Sequence, residues 1–377
     1  MPFAAAHSVH PSAVDAIGEI TGQVVDRLDD EAPDLALLFV TGHHTNALAE
    51  CGTVVRTLLR PGTLVGGTFA AVLANGQQSD RAAMTLWAGR FGEVQPISYG
   101  REGQVAVPSF EPSALVVLVD PYGFPIATAL AALAKRWPGL PIIGAMASSG
   151  ASSGRSAGGN RLLLDDRTLD AGAVGVLLGP GVEVVSVLSQ GSRPVGPSYV
   201  VTAGGDGVIR ELDGAPAASR LRELTEDALS EDEIAVVHAG NIHVGRTLSG
   251  GGVLVRPITR IDRLAGALAV ADVVEIGATV SFHLRTADAA DDDLRAALNG
   301  RSADSALVFP HVDRGATLLE TPGLDASVVD EYLGRIPTAG ASGAGILGPV
   351  GADAFVHQAG VSMALLRQRE RPVWSGS

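Results

Sequence analysis

Cysteine is all but missing from this chain: Cys51 is the single one among 377 residues. One thiol excludes an internal disulfide and any cysteine-cluster metal site, and it fits a reducing cytoplasmic compartment. Lysine is as scarce. Of 27 basic residues only Lys135 is lysine, and the formal net charge is −14, which excludes a general nucleic-acid surface, since phosphate backbones require a basic face. Also absent are an apolar run long enough to span a membrane and a charged N-terminal lead followed by an apolar segment. The expectation is a soluble, cytoplasmic protein with neither a membrane span nor a nucleic-acid partner.

What the chain has is hydrophobic patterning. It is 46% hydrophobic and 18% charged, too apolar for extended disorder, and its length calls for two domains or one large intertwined one. A single pattern occurs three times. Asp34 to Thr41 (DLALLFVT), Ser113 to Pro121 (SALVVLVDP) and Ser305 to Phe309 read as buried strands. Each precedes a helix, a second strand ending in small residues, a glycine-rich loop and a further strand. Those second strands end at Gly66-Gly67-Thr68, Gly144-Ala145 and Gly340-Ala-Ser342-Gly343. The fold class that follows is α/β, with mixed sheets, as three related strand-helix-strand-loop-strand units in two intertwined domains around a shared pocket.

In chain order, residues 11–28 predict an amphipathic helix capped by Ser12, with Val14, Ile17, Ile20, Val24 and Leu28 on one side. Arg90 to Glu111 reads as a surface connection. Gln190 to Pro197 reads as a loop stiffened by its prolines. Strands are expected at Ile234 to His238, Gly252 to Ile258, Ala267 to Val270 and Thr279 to Leu284, and helices at Ala217 to Ala228 and Ala289 to Asn299.

Ligands of open α/β sheets bind beyond the carboxyl ends of the strands. That rule gathers Thr41, His43, His44, Asp120, Tyr122, His311, Asp313 and Arg314, with Gly66, Gly67, Thr68, Gly144, Ala145, Ser148, Gly340, Ser342 and Gly343 from the second strands. Glycine there admits a ligand close to backbone N–H groups, or serves tight strand packing. His43 and His44 are adjacent, so on a strand without a turn they face opposite ways and do not share a metal; the readings open are a polar pocket contact, a helix N-terminal role for His44, or ligation of iron or another metal by one imidazole. Arg193 suits a carboxylate or phosphate, or an ion pair with Glu211 or Asp213 across the domain boundary. His283 reads as structural. Gly150-Ala-Ser-Ser-Gly154 has the outline of a nucleophile elbow but no helix or ordered acid and histidine to follow it. A hydrolase or transferase using a serine of the 148–156 loop, Ser148 or Ser153, stays as an alternative, as does an adaptor without a small ligand.

On DLALLFVTGHH (34–44), NRLLLDDRTLDAGAVGVLLG (160–179), QGSRPVGPSYVVT (190–202), GVIRELDGAPA (207–217), VEIGATVSFHLRTADAADDDLRAAL (274–298), ALVFPHVDRG (306–315) and GASGAGILGPVGADAFVHQAGVSMALL (340–366), the chain resembles the FIST family. The resemblance implies a helical lead-in at 1–33, a FIST N-terminal domain at 34–216, a FIST C-terminal domain at 217–366 and a flexible tail at 367–377. It further implies a sensory role with an amino-acid-like ligand; joined to the strand-end rule, the Gln190–Pro197 loop and His357 of the matching segment, it gives a small, anionic or zwitterionic ligand contacted by His43, His44, Gly67, Thr68, Gly144, Ser148, Gln190, Arg193, His311, Arg314, Ser342, Gly343 and His357. The signal would pass to a separate protein, a kinase or similar. No cofactor is expected; haem is the alternative, as in a gas sensor. Where relatives carry cysteines, this chain has Gly67 and either Pro310 or His311.

Overall fold

Three strands made almost wholly of aliphatic residues, Leu35–Thr41, Ala114–Val119 and Ser305–Pro310, are buried along their full length, as strands covered on both faces must be. Each lies between a parallel and an antiparallel neighbour: Thr63–Phe69 and Met84–Gly89 for the first, Ile142–Met146 and Ala173–Leu178 for the second, Thr338–Ala341 and Val361–Gln368 for the third. These sets head three six-stranded sheets, here I, II and III. The computed structural model describes residues 2–99, 108–149, 159–319 and 323–369, and the architecture is mixed α/β.

The sheets exchange hairpins. After its second strand, each set sends a short hairpin to a different sheet. Val72–Ala74 with Gln77–Ser79 joins sheet III, Leu162–Leu164 with Arg167–Leu169 joins sheet I, and Ile346–Val350 with Asp353–His357 joins sheet II. In every case the receiving strand is the parallel second strand, so a flank that would otherwise be an open edge is covered. One apolar core, including Phe39, Val65, Phe69, Trp87, Val116, Ile143, Leu307 and Phe309, is shared by all three sheets. Helices cover the outer face of sheet I through Ile17, Ile20, Val24, Cys51 and Val55, and of sheet II through Leu130 and Leu133.

The three-sheet body is one of two compact units and takes Met1–Leu188, Arg295–Pro349 and Asp353–Ser377; the other takes Ser189–Leu294 and Val350–Ala352. Position 216 thus lies inside the smaller unit. There the strands Arg193–Gly205, Thr279–Leu284, Ile242–Thr247, Val253–Asp262, Ala267–Val270 and Val208–Leu212 pair in that order, all antiparallel, and the last returns to the first. That return pairing involves Val201–Gly205 of the first strand, while Arg193–Val200 pairs with Thr279–Leu284. Its core holds Tyr199, Ile209, Leu221, Val244, Leu268 and Phe282.

Local expectations needed four corrections. Ile234 to His238 is the end of a helix, Glu231–His238, because Ser230 and Glu233 form a reciprocal capping box; the strand comes later, at Ile242–Thr247. The connection after Arg90 contains the strand Val94–Tyr99, an edge strand whose Pro96 weakens its signature. The strand Arg193–Gly205 starts inside the expected loop, and a bulge between Val195 and Ser198 absorbs Gly196 and Pro197. The helix Ala13–Arg27 is capped by Ser12 as expected, but Val14, in its first turn, is exposed while Ile17, Ile20, Val24 and Leu28 are buried.

Candidate functional site

The strand-end rule brings several of its residues together, and Thr68, Ser148 and Ser342 are tied there by hydrogen bonds. Ser148 binds all three sheets: its N–H donates to Thr68 O (3.2 Å), its Oγ accepts from Ala70 N (2.8 Å), and its hydroxyl donates to Ser342 O (2.5 Å). Thr68 donates to Arg161 O and its Oγ1 accepts from Arg161 N (2.9 Å); that Oγ1 also lies 3.2 Å from Ser149 Oγ. Ser342 N donates to Ala71 O, and Gly343 N to Pro310 O. Thr68, Ser148 and Ser342 are all buried.

The glycines behave likewise. Gly66, Gly144 and Gly340 stand opposite Leu38, Val117 and Val308 in the parallel pairs. A Cβ on them would lie 2.6, 1.8 and 1.7 Å from those residues' carbonyl oxygens. Their side chains are absent because the neighbouring strand occupies the space. At Gly343 a Cβ would meet Gly345 O at 2.6 Å, and at Gly67 the Phe69 ring at 3.2 Å.

Three residues past Leu38, Val117 and Val308 come Thr41, Asp120 and His311, all buried; Asp120 and His311 fix the turns that follow them, whereas Thr41 bonds across to Ala83. Thr41 Oγ1 accepts from Ala83 N at 3.0 Å, Asp120 Oδ2 from Gly123 N at 2.9 Å, and His311 Nδ1 from Asp313 N at 3.2 Å, while His311 Nε2 donates to Ala344 O. Arg314, fully buried, grips Asp325 with Nε and Nη2 (2.6–3.1 Å). His43 is exposed; His44 is buried, its Nε2 has no hydrogen bond among the described residues, and burial holds its pKa below the ordinary value. His357 is buried, with Nε2 donating to Gly348 O across its hairpin.

Gln190 and Arg193 lie in the smaller unit. Gln190 bridges the strand Val253–Asp262 at Val253 O and Val255 N. Arg193 does form an ion pair, but with Glu233 of the capping box rather than Glu211 or Asp213. The register places His243 beside His283, and burial pushes both down to about 4, with Arg285 adding to the fall at His243. Cys51 is buried and its thiol is pushed up to about 11, first by burial and then by Glu50, so it stays protonated and unreactive at neutral pH. Among the described residues no cluster of three or more His, Cys, Asp or Glu could hold a metal. Of the four histidines considered for haem, His311 and His357 have ring nitrogens engaged by hydrogen bonds.

An open site exists elsewhere in the body. A cleft of about 370 Å³ is lined by Phe3 and Ala5 of sheet I, Arg27 of the first helix, Asn75 of the hairpin given to sheet III, Asp330 of the helix Leu324–Leu333, and Arg335, Ile336 and Pro337 leading into Thr338–Ala341. Asn75 and Gly76, at φ 49° and 76°, make the tight turn that Asn-Gly favours. The Asn75 side chain then joins two sheets: Nδ2 donates to Ala5 O (3.0 Å) and Oδ1 accepts from Thr338 N (3.1 Å). Arg27 sits in the last turn of its helix, where a cation is favoured, and donates to Ala5 O. Arg335 and Asp330 have no charged partner among the described residues.

The stretch from 34 to 215 matches the FIST N domain and 217 to 349 the FIST C domain. The chain belongs to the FIST family. Uncharacterized proteins Mb0898c of Mycobacterium bovis and MT0897 of Mycobacterium tuberculosis are 36% identical to it over 378 residues, covering 94% of this chain and 96% of theirs. A second Mycobacterium tuberculosis protein, MT0656, is 33% identical over 380 residues, with 95% and 97% covered. FIST domains are sensory domains of signal transduction. In this FIST protein the cleft draws residues from both matched domains or their flanks, and the strand-end rule found none of them. Two signals were there to use: the Asn-Gly dipeptide at 75–76, and Gly334, a helix stop that leaves Arg335 outside the helix. Among the described residues no helix is long and apolar enough to cross a membrane.

Proposed function

We propose that this FIST protein is a sensory module that takes a small anionic or zwitterionic, amino-acid-like metabolite into the cleft between Arg27, Asn75, Asp330 and Arg335, and that a separate signalling protein reads its occupancy. The observation that carries this reading is a pair of opposite charges, Arg335 and Asp330, without an ion pair among the described residues and lining one cleft of about 370 Å³. A guanidinium takes a carboxylate and a carboxylate takes an ammonium group; the volume falls in the range of small-molecule sites. The floor of Phe3, Ala5, Ile336 and Pro337 suits a short apolar side chain. A ligand held there would touch sheet I, the hairpin turn at Asn75 and the entry to sheet III together, so binding would bear on how two sheets are joined.

The test is native mass spectrometry of freshly purified protein, then thermal shift over a panel of amino acids and small carboxylates. A bound adduct, or a raised melting temperature for a subset of zwitterions or acids, supports the reading. An empty protein with no shift across the panel overturns it. A Soret band in the same sample would replace it with the haem reading.

A further inference from the structure

A partner can meet the smaller unit through a groove or a loop as well as through a strand edge. One groove is present. It measures about 850 Å³ and runs between the helix Ala217–Asp227, the helix Glu231–His238 and the tip of the hairpin Val253–Asp262 with Ala267–Val270. Leu221 and Val237 form a buried floor and Ile261 an exposed wall. The hairpin tip is held in place: Asp262 Oδ1 accepts from Leu264 N and Ala265 N (3.2 and 2.9 Å), and Ala218 N donates to Gly266 O (2.9 Å). Beside the groove, the tip displays Leu264 fully exposed.

The charges at the rim run against the rest of the molecule. In a chain of net charge −14, the ionisable groups lining the groove are Arg222, Arg263 and His238, with Glu226 the one acid. Arg263 has no ion pair among the described residues, and the Arg222–Glu226 contact is long, at 3.9 Å, with both side chains about two-thirds exposed (67% and 66%), so it holds neither group firmly. An apolar floor with a basic rim is the complement of a helix whose apolar stripe is flanked by Asp or Glu.

We infer that this groove docks an acidic amphipathic helix of the signalling partner. Apolar side chains at i, i+3, i+4 and i+7 pack on Leu221, Val237, Ile261 and Leu264, and carboxylates on either side of that stripe meet Arg222 and Arg263. The inference rests on the chain being one half of a signalling pair and is independent of the small-molecule cleft.

The test is fluorescence anisotropy of the full chain with a labelled helical peptide of about 18 residues, carrying a leucine stripe flanked by glutamate, and with a counterpart flanked by lysine. Binding of the acidic peptide, weakened about 10-fold or more by Leu264→Asp and by Arg263→Glu, and weakened by salt, is the expected result. Both positions are exposed, so an unchanged melting temperature shows that the variants fold. No binding of the acidic peptide up to about 100 μM, equal binding of the basic peptide, or affinity untouched by both substitutions overturns the inference. So does Leu264-dependent sedimentation with phosphatidylcholine vesicles, which would make the tip a membrane contact. Loss of metabolite binding in Arg335→Ala would leave these outcomes unchanged, so the two ideas fail separately.

Discussion

The body and the smaller unit solve the same problem, exposed strand edges, in opposite ways. The body keeps three open sheets and covers each receiving strand with a hairpin that leaves another strand set; the smaller unit turns a single sheet back on itself. Exchange makes every sheet depend on the others, so the body has to fold as one piece. Closure makes the smaller unit self-sufficient. Their buried polar groups differ in the same spirit. At the strand ends of the body a neutral network of Thr68, Ser148 and Ser342 lies with the buried and paired Arg314 and Asp325, while the smaller unit buries His243 beside His283, with Arg285.

The largest effect expected is at the parallel-pair glycines. A Cβ at Gly144 or Gly340 would sit under 2 Å from the opposite carbonyl (1.8 and 1.7 Å), so Gly144→Ala should cost more than about 4 kcal/mol and abolish folding of the body. Gly66→Ala, at 2.6 Å, should cost less. Urea unfolding followed by tryptophan fluorescence checks this, since Trp87, Trp137 and Trp374, the chain's three tryptophans, all fall in the body.

Next is the buried Arg314–Asp325 pair. Arg314→Met strands a buried carboxylate and should cost about 3–5 kcal/mol, with most of it returned by adding Asp325→Leu; equal losses in the single and double variants would show that the guanidinium does something besides meeting Asp325.

The histidines separate the two units by pH. Folded His243 and His283 stay neutral down to about 4, whereas the unfolded chain takes up protons below about 6.5. The unfolded state therefore binds more protons in that window, and stability falls as pH drops from about 6.5 to about 4, by up to about 3 kcal/mol per histidine. Above that window the contribution is flat. Acid titration should change far-UV circular dichroism before tryptophan fluorescence, and His283→Gln should flatten the slope. In the body, burial also lowers His44 and His7, the latter opposed by Glu19, so a body that unfolds first would reverse the comparison.

Ser148→Ala should give the smallest of these effects. It leaves Ala70 N–H without its acceptor and should cost about 1–3 kcal/mol, measured by the same urea titration.

The sheets were legible in the sequence because their central strands are continuous aliphatic runs: DLALLFVT, SALVVLVD and the segment around Ser305 to Phe309 each became a fully buried strand. The helix caps at Ser12 and Ser230 were written in the sequence as well, though the second was overlooked beside the β-branched Ile234, Val236 and Val237. The hairpin exchange was not legible. Segments as short as Val72–Ala74 form strands only because a strand far away in sequence accepts them. The strand-end rule did locate a real convergence, yet convergence in three dimensions is also what lets Thr68, Ser148 and Ser342 satisfy one another. Arg335 and Asp330 carry no local motif; what marks them is their place on one cleft without an ion pair among the described residues.

The most direct test of the account compares Arg335→Ala with Ser148→Ala by isothermal titration against whichever metabolite the thermal-shift panel returns. A loss of about 10-fold or more for Arg335→Ala, with affinity unchanged for Ser148→Ala, would place the ligand in the cleft. Lost affinity in Ser148→Ala with Arg335→Ala unaffected would contradict the account and return the binding site to the strand ends.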